Sequence, residues 1–475
     1  MSPQADRRPT LPGARALLAL LVLLLCAGAT RAALPAEVQA ALQRARVPPE
    51  AVAVVLQEVG AARSLLAHQP DALFNPASLA KLLTTQAALE LLGPSWSWAT
   101  PVWLHGSVAE GVLDGSLVIK GSGDPKLVLE RVWLLLHRVQ SLGVREIRGD
   151  IVLDRSAFAA PAGAAADFDG DATRPYNVQP DALMLNFKAV SYSFVPQPAR
   201  GVALVLADPP LAATRVQPTV RLAALPCDDW RGALKADFSD ARQVRFAGVY
   251  PAGCGEKDWP VADAEPASYN ARLIEALWRR MGGKLSGRVV DGAAPADAKP
   301  SFELKSPPLA DVVRDINKYS NNVMAQQLFL TLSLQQKGTG TADGSRELLR
   351  QWWTARFGAA DLPVMDNGSG LSRESRITAQ ALARMLQGAW ASPVMPELMS
   401  SLPITGVDGT MRRSRARGAS AHLKTGSLRD VAGVAGYVLG ASGRRHVLVA
   451  IANHPNANAM RPAINALVEW AARDQ

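Results

Sequence analysis

Asn75-Pro76-Ala77-Ser78-Leu79-Ala80-Lys81-Leu82-Leu83-Thr84-Thr85-Gln86-Ala87-Ala88-Leu89-Glu90-Leu91-Leu92-Gly93 reads as a helix, with proline near its first turn and glycine just past its end. Inside it, Ser78-Leu79-Ala80-Lys81 is the only Ser-x-x-Lys in the chain. Residues i and i+3 share a helix face, so the Ser78 hydroxyl and the Lys81 amine can meet. A serine becomes a useful nucleophile only when a neighbouring base takes its proton. Lysine can be that base if burial and a second cation lower its pKa. A helix N-terminus also aims backbone N–H groups at a developing oxyanion.

The texture of the chain changes on moving outward from this helix. Before it, Ala51–Val59 looks like a strand and Ser64–His68 like its hairpin partner. After it, from about Trp96 to about Gly255, strand-like runs dominate (115–120, 149–154, 202–206), punctuated by Gly, Pro and Asp. One helix, Leu127–Leu142, interrupts them. Helical periodicity returns at Asn270–Met281, Leu309–Gln336 and Ile377–Ala391, with Ser268 expected as the N-cap of the first. Runs 431–439 and 446–452 read as a strand pair, and a closing helix follows from Pro462 to Arg473. Matching ends around a different middle suggest an insertion into one host domain.

Two further short motifs complete an ordered trio. Ser320-Asn321-Asn322 is a Ser-x-Asn placed between helices, and Lys424-Thr425-Gly426 is the only Lys-Thr-Gly. Penicillin-binding proteins and class A β-lactamases carry this set. Other chemistries fit poorly. Six histidines show no ligand spacing, so no metal site is expected. Gly121-Ser122-Gly123-Asp124-Pro125 lacks the third glycine of a dinucleotide loop and the Gly-Lys-Ser/Thr of a P-loop, and reads as a turn. A class A β-lactamase would show Glu-x-x-x-Asn between the second and third motifs; Glu374-Ser375-Arg376-Ile377-Thr378 does not match.

Residues 1–32 read as a cleavable signal peptide. Arg7, Arg8 and Arg15 precede the apolar run Ala16–Leu25, and small residues follow at Ala27-Gly28-Ala29 and Thr30-Arg31-Ala32. Export to the periplasm is the expectation. It leaves Cys227 and Cys254, an even pair in an oxidising compartment, which reads as a disulfide. With 475 residues, 48% hydrophobic and 20% charged, the chain is an ordinary globular sequence of several domains. Its net charge of +9 comes without a nucleic-acid module. That balance suits peripheral contact with an anionic membrane or cell wall, and no nucleic acid is expected.

The motifs, joined by Asp366-Asn367-Gly368-Ser369-Gly370-Leu371-Ser372-Arg373 and His422-Leu423-Lys424-Thr425-Gly426-Ser427, resemble the D-alanyl-D-alanine carboxypeptidase/endopeptidase family related to penicillin-binding protein 4. These are the class C low-molecular-mass penicillin-binding proteins of peptidase family S13. Asn367 stands between Asp366 and Gly368, where family members often read Asp-Gly-Ser-Gly directly. The resemblance implies an α/β fold, a serine β-lactamase/transpeptidase-like domain (antiparallel sheet with helices) interrupted by a strand-rich region of two nested modules. The expected division is 33–96 and 271–475 for the host and 97–270 for the insertion, with the nested module at about 160–255. It further implies a serine D-Ala-D-Ala carboxypeptidase/endopeptidase acting on peptidoglycan stem peptides and cross-links through an acyl-enzyme on Ser78, with no cofactor. Lys81 would be its base, Ser320 and Lys424 a proton relay, and Asn322 an orienting group. Thr425, Gly426 and Ser427 would bind substrate, and β-lactams would acylate the same serine.

Overall fold

The computed structural model describes residues 33–161, 163–416 and 420–473; the expected signal peptide lies outside them. Its host sheet has five antiparallel strands in the order Leu66–His68, Val52–Glu58, Arg445–Asn453, Val431–Leu439, Ser420–Leu428. Why the first strand is apolar throughout is plain from its packing. Val52, Val54 and Leu56 enter one core, with the helices Ala36–Ala45 and Arg461–Ala472. Ala53 and Val55 enter the other, with the helices Ala80–Leu92, Leu309–Tyr319, Asn322–Lys337 and Ala379–Trp390. Successive side chains alternate faces, so a strand covered on both sides needs apolar residues at every position. The helix Ala80–Leu92 is itself apolar nearly all round because it lies inside that second core.

The strand-rich region builds a further core of its own, running from Val102 to Leu285. A seven-stranded mixed sheet carries the long hairpin Ala99–Ala109/Val112–Lys120. A five-stranded sheet around Ala189–Gln197, Val202–Asp208 and Lys257–Ala262 and a three-stranded sheet pack into the same core. Here Phe194, Trp230, Phe246 and Tyr250 pack edge to face and stacked. Cys227 and Cys254 are disulfide-bonded, with Cα atoms 5.1 Å apart.

Several expectations need amendment. The helix Pro266–Arg280 belongs to the inserted core, and Phe302–Lys305 closes the seven-stranded sheet beside Ala99–Ala109, so the insertion continues past residue 270. Ser268 sits inside that helix behind Glu265 and donates to the Glu265 carboxylate at 2.6 Å. The periodic run 309–336 is two helices, broken where Ser320 adopts a left-handed conformation (φ 56°). A further helix, Ala342–Phe357, capped by the Thr341 hydroxyl, was not expected.

Insertion and host are joined at one face of the helix Asn322–Lys337. Gln327 donates to the carbonyls of Gly123 and Asp181 at 3.2 and 2.8 Å. Its side-chain Oε1 accepts the Asp181 N–H at 2.9 Å. The Gly121–Pro125 turn is therefore a seam between the two cores.

Candidate active site

Ser78 sits on a tight 3-10 turn, Ala77–Leu79, and the α-helix proper begins at Ala80. The residue before it is strained. Ala77 has φ 45°, a region costing a non-glycine residue about 1–3 kcal/mol unless its surroundings enforce it. Asn75 does the enforcing: its Oδ1 accepts the Ala77 N–H at 2.8 Å, and its Nδ2 donates to the Ser372 carbonyl at 2.9 Å. Asn453, on the host sheet, clamps the Asn75 backbone from both sides. The turn leaves Ser78 half-buried, with Lys81 fully buried one turn on.

Lys81 Nζ has three partners. Ser78 Oγ lies at 2.9 Å, Asn322 Oδ1 at 2.7 Å and the Ser369 carbonyl at 2.6 Å. A neutral amine has two hydrogens and one lone pair. The two pure acceptors, Asn322 Oδ1 and Ser369 O, can take both hydrogens, which leaves the lone pair for the Ser78 hydroxyl proton. The electrostatics favour that state. Burial, and then the charge of Lys424, hold the Lys81 ammonium well below the ordinary lysine value.

Lys424 enters from the edge strand Ser420–Leu428. It is fully buried and donates to Ser320 Oγ at 2.9 Å and to the Thr425 carbonyl at 2.7 Å. Burial pushes its pKa down to about 7. The left-handed backbone at Ser320 turns that hydroxyl toward the strand while Asn321 caps the next helix through Met324 N–H. On the strand's other face, the Thr425 hydroxyl meets Thr410 Oγ1 at 2.8 Å and the Ser427 hydroxyl meets Asn458 Oδ1 at 2.9 Å. Gly426 lies against the Ser78 turn: a Cβ there would stand 2.7 Å from the Pro76 carbonyl.

Thus the structure brings Ser78, Lys81 and Asn322 into one hydrogen-bonded group and joins Ser320 to Lys424. Thr425, Gly426 and Ser427 line the strand beside them. Some residues at the site were not anticipated. Ser369 supplies a carbonyl to Lys81, and Tyr176, from the insertion, accepts from Asn322 Nδ2 at 3.3 Å. Asn367, not Asp366, shapes the Ser369 loop: its Oδ1 accepts from Ser369 N and Oγ, and its Nδ2 donates to Leu371 O. Asp366 faces Arg346 instead. Gly370 (φ 75°) packs behind the Ser78 turn, where a Cβ would lie 1.8 Å from the Ala77 carbonyl. Among the described residues, no group of three His, Cys, Asp or Glu side chains could hold a metal ion.

A buried lysine within hydrogen-bond reach of a serine on a strained turn, joined to a Ser-x-Asn helix, is an acyl-transfer arrangement. Comparison with known proteins agrees, for residues 34–474 match the D-Ala-D-Ala carboxypeptidase 3 (S13) family. The chain belongs to that family. As an S13 member it is a serine-type peptidase, a hydrolase. Among its relatives is the D-alanyl-D-alanine carboxypeptidase DacB of Haemophilus influenzae, 26% identical over 79% of this chain and 80% of that one. A D-alanyl-D-alanine carboxypeptidase from an Actinomadura species is 27% identical over 88% and 80%. The fold matches the crystal structure of penicillin binding protein 4 from Haemophilus influenzae (TM-score 0.73, 21% identity, 91% of this chain and 99% of that one). A predatory endopeptidase from Bdellovibrio bacteriovorus, solved acylated by penicillin G, shares it more distantly (TM-score 0.54, 16% identity, 89% and 93%). The fold is thus α/β and transpeptidase-like, an antiparallel sheet with helices plus an extra strand-rich region.

Proposed function

We propose that this S13 enzyme hydrolyses peptidoglycan stem peptides ending in D-Ala-D-Ala, and the cross-links between them, through an acyl-enzyme on Ser78. The observation that carries this reading is the set of three partners around Lys81 Nζ, which suits a neutral amine facing Ser78 Oγ. Ser78 Oγ attacks the penultimate D-alanine carbonyl while Lys81 takes its proton. Negative charge builds on the carbonyl oxygen, toward the backbone N–H groups of Ser78 and Ser427. Ser320 and Lys424 pass a proton to the leaving nitrogen as the C–N bond breaks. A pKa of about 7 equips Lys424 for that exchange near neutral pH. Water then cleaves the ester and restores Ser78. Asn322 orients Lys81 and the substrate amide, and Lys424, Thr425 and Ser427 hold the terminal carboxylate.

β-Lactams, which mimic the D-Ala-D-Ala end, acylate the same serine in this reading. The signal-like residues 1–32 and the disulfide fit work in the periplasm, and the basic balance fits peripheral contact with an anionic wall or membrane. Intact-mass measurement after incubation with labelled penicillin tests the proposal. The wild type should carry one slowly released adduct on the Ser78 peptide, and Ser78→Ala none. Covalent uptake by Ser78→Ala would refute it, and rapid turnover of the drug would instead make the protein a β-lactamase.

A further inference from the structure

A cavity of about 560 Å³ lies against the outward face of the Thr425–Ser427 strand. Its floor is apolar, from Ala432, Val434 and Ile464, and its wall carries Arg412, Arg413 and Arg461. No aspartate or glutamate lines it, and among the described residues no carboxylate pairs with any of the three arginines. The loop bearing Arg412 and Arg413 is well anchored. Lys318 Nζ, buried at the end of the Ser320 helix, donates to Asp408 and to the Leu402 carbonyl, each at 2.6 Å. Thr410 bonds to Thr425, and Asn458, next to Arg461, bonds to Ser427. The backbone that carries the three arginines is thus fixed beside the Thr425–Ser427 strand, while their side chains are exposed.

We infer that this cavity receives the leaving half of a cross-linked substrate, with Arg412, Arg413 and Arg461 reading carboxylates on the second stem peptide. The inference rests on the acyl-transfer reading above and adds a specificity site to it. If Thr425 and Ser427 hold the carboxylate next to the scissile bond, the leaving residue lies along them. Whatever is attached to it continues into the space those side chains border. Free D-alanine, one small residue, would leave most of that space empty, since pockets of about 300–1,000 Å³ take ligands of drug size. A cross-link leaves as a whole acidic peptide. Three arginines without a counter-ion suit such a group, because guanidinium binds carboxylate bidentately.

The experiment compares two substrates on the full exported chain. One is a linear stem peptide ending in D-Ala-D-Ala, the other a soluble cross-linked dimer of stem peptides. In the variant R412Q/R413Q/R461Q, kcat/KM on the dimer should fall at least ~10-fold, mainly through KM, while the linear peptide and the penicillin acylation rate stay within about 2-fold. Lysine at the three positions should restore part of the loss. Equal losses on both substrates would overturn the inference and place the arginines on the D-alanine carboxylate. No loss on either would show them to be merely solvated, and overturn it too. A wild type that cleaves the linear peptide but not the dimer defeats this inference and the cross-link half of the proposed function, while the acyl-enzyme on Ser78 stands. A wild type that neither takes up penicillin nor cleaves either peptide defeats the underlying reading.

Discussion

Asn322→Asp keeps the shape of the side chain and places a carboxylate where Lys81 Nζ now meets an amide oxygen at 2.7 Å. An opposite charge this close favours the ammonium and raises its pKa by about 1–3 units. Each unit is about 1.4 kcal/mol and a tenfold change in the neutral fraction. Lys81 is held low in the wild type by burial and by Lys424, and the new carboxylate works against both. At a pH below both the wild-type and the variant pKa, the neutral amine should become about 10- to 10³-fold scarcer, and penicillin acylation should slow by the same factor. The sign is specific: activity needs the deprotonated lysine, so the rising limb of the pH–rate profile should move up by about 1–3 pH units. The rate should recover at high pH. The assay is the second-order acylation rate across the pH range, with Asn322→Ala as control. That control also loses the contact from Asn322 Nδ2 to the Tyr176 carbonyl but adds no charge, so it should lower the rate without moving the limb toward higher pH. A profile for Asn322→Asp that stays in place at any rate would show that Lys81 is not the base.

Lys424→Ala should lower kcat/KM on D-Ala-D-Ala peptides at least ~10²-fold, because a charge-assisted hydrogen bond of about 1.5–3 kcal/mol and the second cation beside Lys81 are both lost. A C-terminally amidated peptide should lose much less, and equal losses would leave Lys424 only its electrostatic part. Gly370→Ala forces a Cβ to within 1.8 Å of the Ala77 carbonyl, so the turn under Ser78 must shift. Acylation should fall at least ~10-fold with a lowered melting temperature, and wild-type kinetics would refute that packing. Reducing Cys227–Cys254, which closes a loop of 27 residues, should remove on the order of 3–4 kcal/mol in the chain-entropy model. Hydrogen exchange should rise across 189–262 while penicillin acylation is unchanged; a fall in acylation of equal size would tie the bridge to the site.

The fold was legible where periodicity and composition carry the same message as packing. The apolar run at Val52–Leu56 announced a strand, and Ser78–Lys81 announced a hydroxyl and an amine within reach of each other at a helix start. The break at Ser320 was half legible: the motif placed it between helices, yet apolar periodicity ran straight through 309–336, because both helices face one core. The end of the insertion was harder to read. Pro266–Arg280 resembles any amphipathic helix, and nothing in its pattern says which of two cores its apolar face enters. Contacts made by backbone atoms were hidden altogether. The Ser369 and Tyr176 carbonyls belong to no residue type, so sequence could not nominate them. Asn367 was visible only as an extra letter, though its amide folds the loop that presents Ser369.

The host sheet also has a bearing on when the enzyme can first be made active. Val52 lies opposite Ala452, so the strand that precedes the nucleophile pairs with one of the last to leave the ribosome. Lys424 and Asn453 come from the two outer strands of the same late three-stranded meander, and Asn453 is what clamps the turn under Ser78. Such distant pairings form slowly, since a long loop must close before any contact offsets it. The inserted region has nearer partners: its hairpin Ala99–Ala109/Val112–Lys120 can zip locally. A refolding chain should therefore close its inserted core first and acquire a reactive serine last. If Ser78 is the nucleophile as proposed, penicillin uptake becomes a clock for completed folding, and a chain cut anywhere before Lys424 should take up none.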